Sequence, residues 1–369
     1  MDYDAVVIGG GQAGLATGYH LQRAGLRFAI LEAGAEAAGS WPRYYDSLKL
    51  FSPARYSSLP EMAFPGDPER YPTRDEVIAY LRDYAKRFHL PVITNQRVER
   101  VARRGGMFEI LTAQGTSFRA HSVIAASGAF NRPNIPELDG QARYTGQMLH
   151  SSAYSNPAPY NGQHVLVVGA GNSAVQIAVE LAQSAQVTLT SRSPIRFMRQ
   201  RILGRDVHFW FGVSGFDRWQ RRFPRWNPTE IKPVEVLDSG RYRAAFDSGN
   251  PRYRPMFSRF TPSGVTWSDG SEQRFDAVIF ATGFRPNFPY LAALEHALDE
   301  YGNARREGGI STAVAGLYYV GISGQRSFAS ATLRGVGSDA AFVVRDLVHS
   351  MRQTAETPAK CCCLNLTPA

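Results

Sequence analysis

The sequence predicts an α/β fold: two Rossmann-like domains in one chain, the second inserted into the first. Three observations predict it. A strand, glycine turn and helix pattern opens the chain at VVIGGGQAGLATGYHLQRAGLRFAILEAG, Val6 to Gly34. The stretch VLVVGAGNSAVQIAVELAQSAQVTLTSR, Val165 to Arg192, repeats the plan. The chain also has 369 residues of 44% hydrophobic composition, more than one core usually supports. The expected boundaries are 1–156 for the first part of the outer domain, 157–283 for the insertion, 284–352 for the return and 353–369 for a flexible tail.

In the first unit, apolar Ala5 to Ile8 has strand length. Gly9-x-Gly11-x-x-Gly14 follows at once, enclosing Gln12 and Ala13, and Leu15 to Leu21 continues at helical spacing. In that context a glycine fingerprint is informative. Gly9 permits the turn, Gly11 lets backbone approach a pyrophosphate, and Gly14 lets helix pack on strand, with the helix N-terminus aimed at phosphate charge. A second strand, Phe28 to Leu31, ends at Glu32-Ala33. A carboxylate there suits a ribose diol.

The second unit runs through strand Val165 to Val168, Gly169-x-Gly171-Asn172-Ser173-Ala174, a helix to about Leu181 and strand Val187 to Thr190. It ends in Ser191, Arg192 and Ser193. Arg192 stands at the same offset from Gly169 as Glu32 from Gly9. One position thus carries opposite charges, one suited to an unmodified adenosine ribose and the other to a 2′-phosphate. The chain reads as a holder of two dinucleotides, FAD first and NADPH second, with NADH acceptance left open.

Between and beyond the cradles, Thr73 and Glu76 have capping-box spacing ahead of Val77, Ile78, Leu81, Tyr84 and Phe88, a helical repeat. Residues 97–127 read as short strands with turns at Arg104-Gly-Gly106 and Gln114-Gly115. Gly264 to Gly270 reads as a hairpin and Ala277 to Phe280 as a strand. A final helix is expected over Ala340 to Met351, after a loop at Leu333-Arg-Gly-Val-Gly337.

The net charge is +9, and its excess is local. From Arg196 to Phe260, basic residues outnumber acidic ones more than twofold and alternate with Trp210, Trp219 and Trp226. No nucleic-acid motif accompanies them, so a solvated face is the reading preferred over a nucleic-acid surface. The segment 196–262 either covers the cleft between domains or elaborates the surface. No run has the length of a membrane span and no leader precedes Ala5, so a cytoplasmic protein is expected. The only cysteines are Cys361, Cys362 and Cys363, which leaves the body without a disulfide framework or redox pair. They read as a tail without a role or as a soft-metal thiol site; no metal is expected in the body.

The stretch YTGQMLHSSAY, Tyr144 to Tyr154, taken with both cradles, resembles the fingerprint of class B flavoprotein monooxygenases, the flavin-containing and Baeyer–Villiger enzymes. Gly146, His150 and Tyr154 fit, and Tyr144 replaces Phe. Gly39-Ser40-Trp41, Ala126-Ser127-Gly128 and Ala281-Thr282-Gly283-Phe284 are further family marks, and the length looks most like the short bacterial flavin-containing monooxygenases.

The resemblance implies a glutathione-reductase-like, two-domain flavoprotein in which an NADPH domain is inserted into an FAD domain. It implies that NADPH reduces FAD, and that O2 then gives a C4a-(hydro)peroxide able to oxygenate small sulfides, amines or ketones. It adds Gly39, Ser40, Trp41, Leu50, Phe51, Ser127, Gly128, Thr332 and Leu333 to the FAD site, and Ala281, Thr282 and Gly283 to the NADPH site.

Where longer members have an active-site Asn, Lys49-Leu-Phe-Ser-Pro53 offers Phe51 and Ser52, which become candidate catalytic residues. That departure keeps an NADPH oxidase or electron-transfer reductase open as the alternative, and a flavin-loaded sensor as a third. Tyr318-Tyr-Val-Gly321-Ile322 lacks the Asp of disulfide-reductase relatives, which favours the monooxygenase branch. His150 carries two readings, a structural histidine bridging two loops or an acid–base group. The expected partners are O2 and a small-molecule substrate, with no nucleic acid and no membrane; a homodimer stays open.

Overall fold

Buried aliphatic runs build two sheets in this computed structural model, which describes residues 2–128, 130, 132–215 and 235–356. Trp219, Trp226 and Cys361 to Cys363 lie outside the described residues.

The first sheet centres on strand Asp2–Ile8, which runs parallel between Phe28–Leu31 and Ser117–Ala125, with Ala5 opposite Phe28 and Val6 opposite Val123. Val92–Ile93 and Leu317–Tyr319 extend it in parallel on either side. Side chains alternate across a strand, so Val7 faces one core and Val6 and Ile8 the other. Helices Gln12–Arg23, Arg74–Arg87 and Leu333–Glu356 cover the Val7 face, supplying Leu15, Tyr80, Tyr84, Val336 and Val343. Phe288, Leu291 and the antiparallel pair Val98–Arg104 and Met107–Thr112 cover the Val6 face. Strands buried on both faces need the unbroken apolar runs seen in the sequence.

Helix Arg74–Arg87 starts where Thr73 predicts. The Thr73 hydroxyl accepts from the Glu76 amide and the Glu76 carboxylate accepts from the Thr73 amide.

The second sheet is wholly parallel: Arg252–Pro255, Gln186–Ser191, His164–Val168, Ala277–Phe280 and Gln147–His150 in that order. Its edge strand Gln147–His150 precedes residue 157. Helix Asn172–Leu181 packs on one face through Ile177 and Leu181, while a three-stranded antiparallel unit spanning Arg259 to Arg274 places Phe260, Val265 and Trp267 on the other. The chain leaves and returns side by side, Arg132–Pro133 pairing antiparallel with Phe284–Arg285.

One expected loop is helix. The final helix begins at Leu333, so Leu333 to Gly337 forms its opening turns. Two glycines in five residues read as a loop because glycine is a poor helix former. Here a Cβ on Gly335 would stand 2.2 Å from the Ala329 carbonyl oxygen, so close packing requires the glycine inside the helix.

Candidate active site

The first cradle is built by close backbone approach. A Cβ on Gly14 would lie 1.8 Å from the Gly9 carbonyl oxygen, which only glycine avoids, and Gly9 itself has φ +111°. Gly11 is the N-cap of helix Gln12–Arg23 and offers no side-chain cap, nor does the first turn hold an acidic residue. The first amides of the helix are thus left for an anion.

Buried Glu32 ends the neighbouring strand, its carboxylate accepting from Gly10 N (2.6 Å) and Gly34 N (2.7 Å). Each oxygen keeps a lone pair for a diol. Ala33 is exposed beside it. Gln12 joins three parts of this site: its amide donates to Ala331 O (2.6 Å) and its oxygen accepts from Trp41 Nε1 (2.7 Å). Around it stand Gly39, whose Cβ would meet Gly11 at 2.7 Å, Ser40, sharing a hydrogen bond with Tyr44, and Ser127, sharing one with Tyr290. Gly128 is left-handed at φ +80°. Thr332 donates to Ala329 O, and Leu333 and Leu50 pack on the same core.

The second cradle repeats this at Gly169, Gly171 and Ala174, with Gly171 as the uncapped N-cap and Asn172 and Ser173 opening the helix. A Cβ on Gly169 would lie 2.3 Å from Ala281 O. At the strand end, buried Ser191 spends its hydroxyl on Ser193 O (2.6 Å), while Arg192 is exposed and makes no ion pair among the described residues. A buried carboxylate at one strand end and a solvent-facing guanidinium at the other are the acceptor and the donor that a ribose diol and a phosphate respectively require.

The residues of the Tyr144 to Tyr154 stretch build the junction between the sheets. Tyr144 donates to Phe275 O (2.8 Å), and a Cβ on Gly146 would strike that phenol oxygen. Tyr154 donates to Glu180 (2.8 Å) on the cradle helix. His150, 4% exposed, accepts at Nδ1 from Ser152 N (3.1 Å), so Nε2 carries the proton it gives to Gly283 O at 2.9 Å. Burial lowers its pKa from the ordinary value, partly opposed by the Gly283 bond. Thr282 donates to Asn134 O and closes the same crossing.

Phe51 and Ser52 lie in a loop against the segment 199–211. Phe51 is 40% exposed and Ser52 shares a hydrogen bond with Ser57. Over them runs the segment 199–211, whose basic, aperiodic sequence concealed an ordered polar cluster. Gln200 donates to Phe51 O (3.0 Å) and to Asp206 (2.8 Å); Tyr71, from the first sheet's loops, donates to Asp206 (2.6 Å). His208 adds its amide and Nδ1. Burial alone would raise the Asp206 carboxyl, but hydrogen bonds from His208, Tyr71 and Gln200 outweigh it and hold the group below its usual range. The segment therefore packs on the loops of Phe51 and Tyr71 through Gln200 and Asp206. No motif spacing announces this cluster; an Asp two residues before a His in a basic run was the only signal.

Residues 6–204 match the family described as pyridine nucleotide-disulphide oxidoreductase. The chain belongs to this family. Within it the chain is an NAD(P)H-dependent flavin monooxygenase, with FAD and NADPH as its cofactors. The flavin-containing monooxygenase of Stenotrophomonas maltophilia superposes with a TM-score of 0.84 at 34% identity, over 95% of this chain and 99% of that one. An uncharacterised CzcO-like oxidoreductase of Geobacillus kaustophilus is 34% identical over 94% of this chain and 98% of its own length. The indole-3-pyruvate monooxygenase YUCCA4 of Oryza sativa is 31% identical over 94% and 88%. Both cradles of this chain fit the two cofactors on the steric and donor grounds given above. Among the described residues no helix is long and apolar enough to cross a membrane, and none of them supplies a cysteine.

Proposed function

We propose that this chain couples NADPH oxidation to insertion of one oxygen atom of O2 into small soft nucleophiles, sulfides and amines, with ketones as a further class. The supporting observation is the charge inversion between the two cradles, buried Glu32 at one strand end and exposed Arg192 at the other. In this reading the first sheet is the FAD domain and the second the NADPH domain inserted into it.

Gly9, Gly11, Gly14 and the open helix N-terminus hold the FAD pyrophosphate and Glu32 its ribose; Gly169, Gly171 and Arg192 hold NADPH. When bound, FAD supplies hydride acceptance and oxygen activation. The protein contributes position and dryness: Gln12 fixes the Trp41 loop, His150 fixes the crossing between sheets, and the segment 199–211 roofs the loop of Phe51 and Ser52. With no thiol before Cys361, the body lacks the dithiol a disulfide reductase uses, which supports the monooxygenase branch.

Steady-state turnover of FAD-loaded protein with NADPH and methyl phenyl sulfide tests this. Sulfoxide formed in proportion to NADPH consumed supports it; NADPH oxidation yielding hydrogen peroxide alone supports the oxidase reading instead.

A further inference from the structure

His208 is 2% exposed, yet its ring is held for use at one atom. Asp206 Oδ1 accepts from both His208 Nδ1 (2.6 Å) and the His208 amide (2.9 Å), while Oδ2 is occupied by Tyr71 and Gln200. A carboxylate so saturated stays ionised and fixes the proton on Nδ1, leaving Nε2 an acceptor. Nε2 has no hydrogen-bond partner among the described residues. The imidazole lies near-parallel to Phe51 and Tyr56, each with centroids 6.1 Å away, and Phe211 meets its edge at 5.7 Å. Phe211 in turn meets Phe328 at 6.1 Å, in the loop that leads to Thr332. Three elements, the loop of Phe51 and Tyr56, the helix of His208 and Phe211, and the loop of Phe328, thus bring an aromatic collar around one open acceptor.

We propose that Asp206 and His208 are a substrate-orienting pair: the collar takes the ring of an aryl sulfide or arylamine, and His208 Nε2 accepts from a hydroxyl or amino group on it. The proposal rests on the monooxygenase reading for oxygenation of the bound ligand, though not for binding itself. An acceptor on a ring otherwise buried among aromatics favours the ligand that satisfies it over the analogue that does not, and flat rings supply contact at low entropic cost. Asp206 acts through His208 and is the positioning residue.

Isothermal titration of the FAD-loaded full chain with methyl phenyl sulfide and its para-hydroxy derivative tests this apart from turnover. The hydroxyl compound is expected to bind about tenfold tighter. His208→Phe keeps a ring beside Phe51 and Tyr56 and should bring the two affinities within about twofold by weakening the hydroxyl compound alone. Asp206→Asn, which loses the charge that fixes Nδ1–H, should reduce the preference to about threefold. Equal affinities in the unmodified protein, or a preference that survives His208→Phe, overturn the proposal. Failure of the monooxygenase reading shows differently: the binding preference stands while neither compound is oxygenated.

Discussion

His150 Nε2 donates to the carbonyl oxygen of Gly283 at 2.9 Å, tying the end of strand Gln147–His150 to the point where the chain returns to the first sheet. Both ring nitrogens are committed to this crossing, Nδ1 to Ser152 and Nε2 to Gly283. The imidazole is therefore a neutral bridge.

That state has a pH signature. Burial lowers the folded-state pKa of His150 below its ordinary 6.5, so the unfolded chain binds the proton more readily. Its contribution is full above the unfolded value and is lost as pH falls through the folded one. Thermal unfolding followed between neutral and mildly acidic pH should show Tm falling on acidification, with a shallower fall in His150→Gln. An identical slope in the variant contradicts the assignment.

Arg192→Gln should raise KM for NADPH about tenfold, the value of a charge-assisted phosphate contact of about 1.5 kcal/mol, and leave KM for NADH nearly unchanged. The guanidinium is exposed, so stability should not move. Equal effects on both coenzymes remove Arg192 from this role.

Glu32→Gln turns an amide NH2 toward the Gly10 or Gly34 amide, where the carboxylate now accepts from both. An unmatched buried donor costs about 1–3 kcal/mol. The flavin absorbance retained after gel filtration should drop sharply; full retention means that Glu32 does not shape the FAD cradle.

Gly335→Ala raises helix propensity by about 1 kcal/mol in isolation. Here the added Cβ would meet Ala329 O at 2.2 Å, so the variant should be destabilised by about 1–3 kcal/mol in chemical denaturation. A stabilised variant would show that the helix start at Leu333 packs otherwise.

The cradles were legible because their glycines recur at fixed spacing between an apolar strand and a helix, as where Gly14 packs against Gly9 O. The Thr73–Glu76 cap and the turns at Gly106 and Gly115 were legible from local sequence too. The helix start at Leu333 was not, since Gly335 and Gly337 mimic a loop while Gly335 is needed where the preceding turn brings Ala329 O against the helix. Nor was the Asp206 cluster. Gln200 and His208 flank Asp206 in one stretch without a recognisable motif, and only folding brings distant Tyr71 within 2.6 Å of the carboxylate. Homology to flavin monooxygenases matched the resemblance carried by Tyr144 to Tyr154, whose buried contacts at Phe275 O, Glu180 and Gly283 explain why those residue types stand there.

The most direct test of the central claim is oxygen bookkeeping during a single turnover. FAD-loaded protein reduced anaerobically with NADPH is mixed with isotopically labelled dioxygen and methyl phenyl sulfide, and product and peroxide are counted. The account predicts close to one labelled sulfoxide per NADPH consumed. Unlabelled or absent sulfoxide, with hydrogen peroxide matching NADPH across sulfides and amines alike, would contradict it.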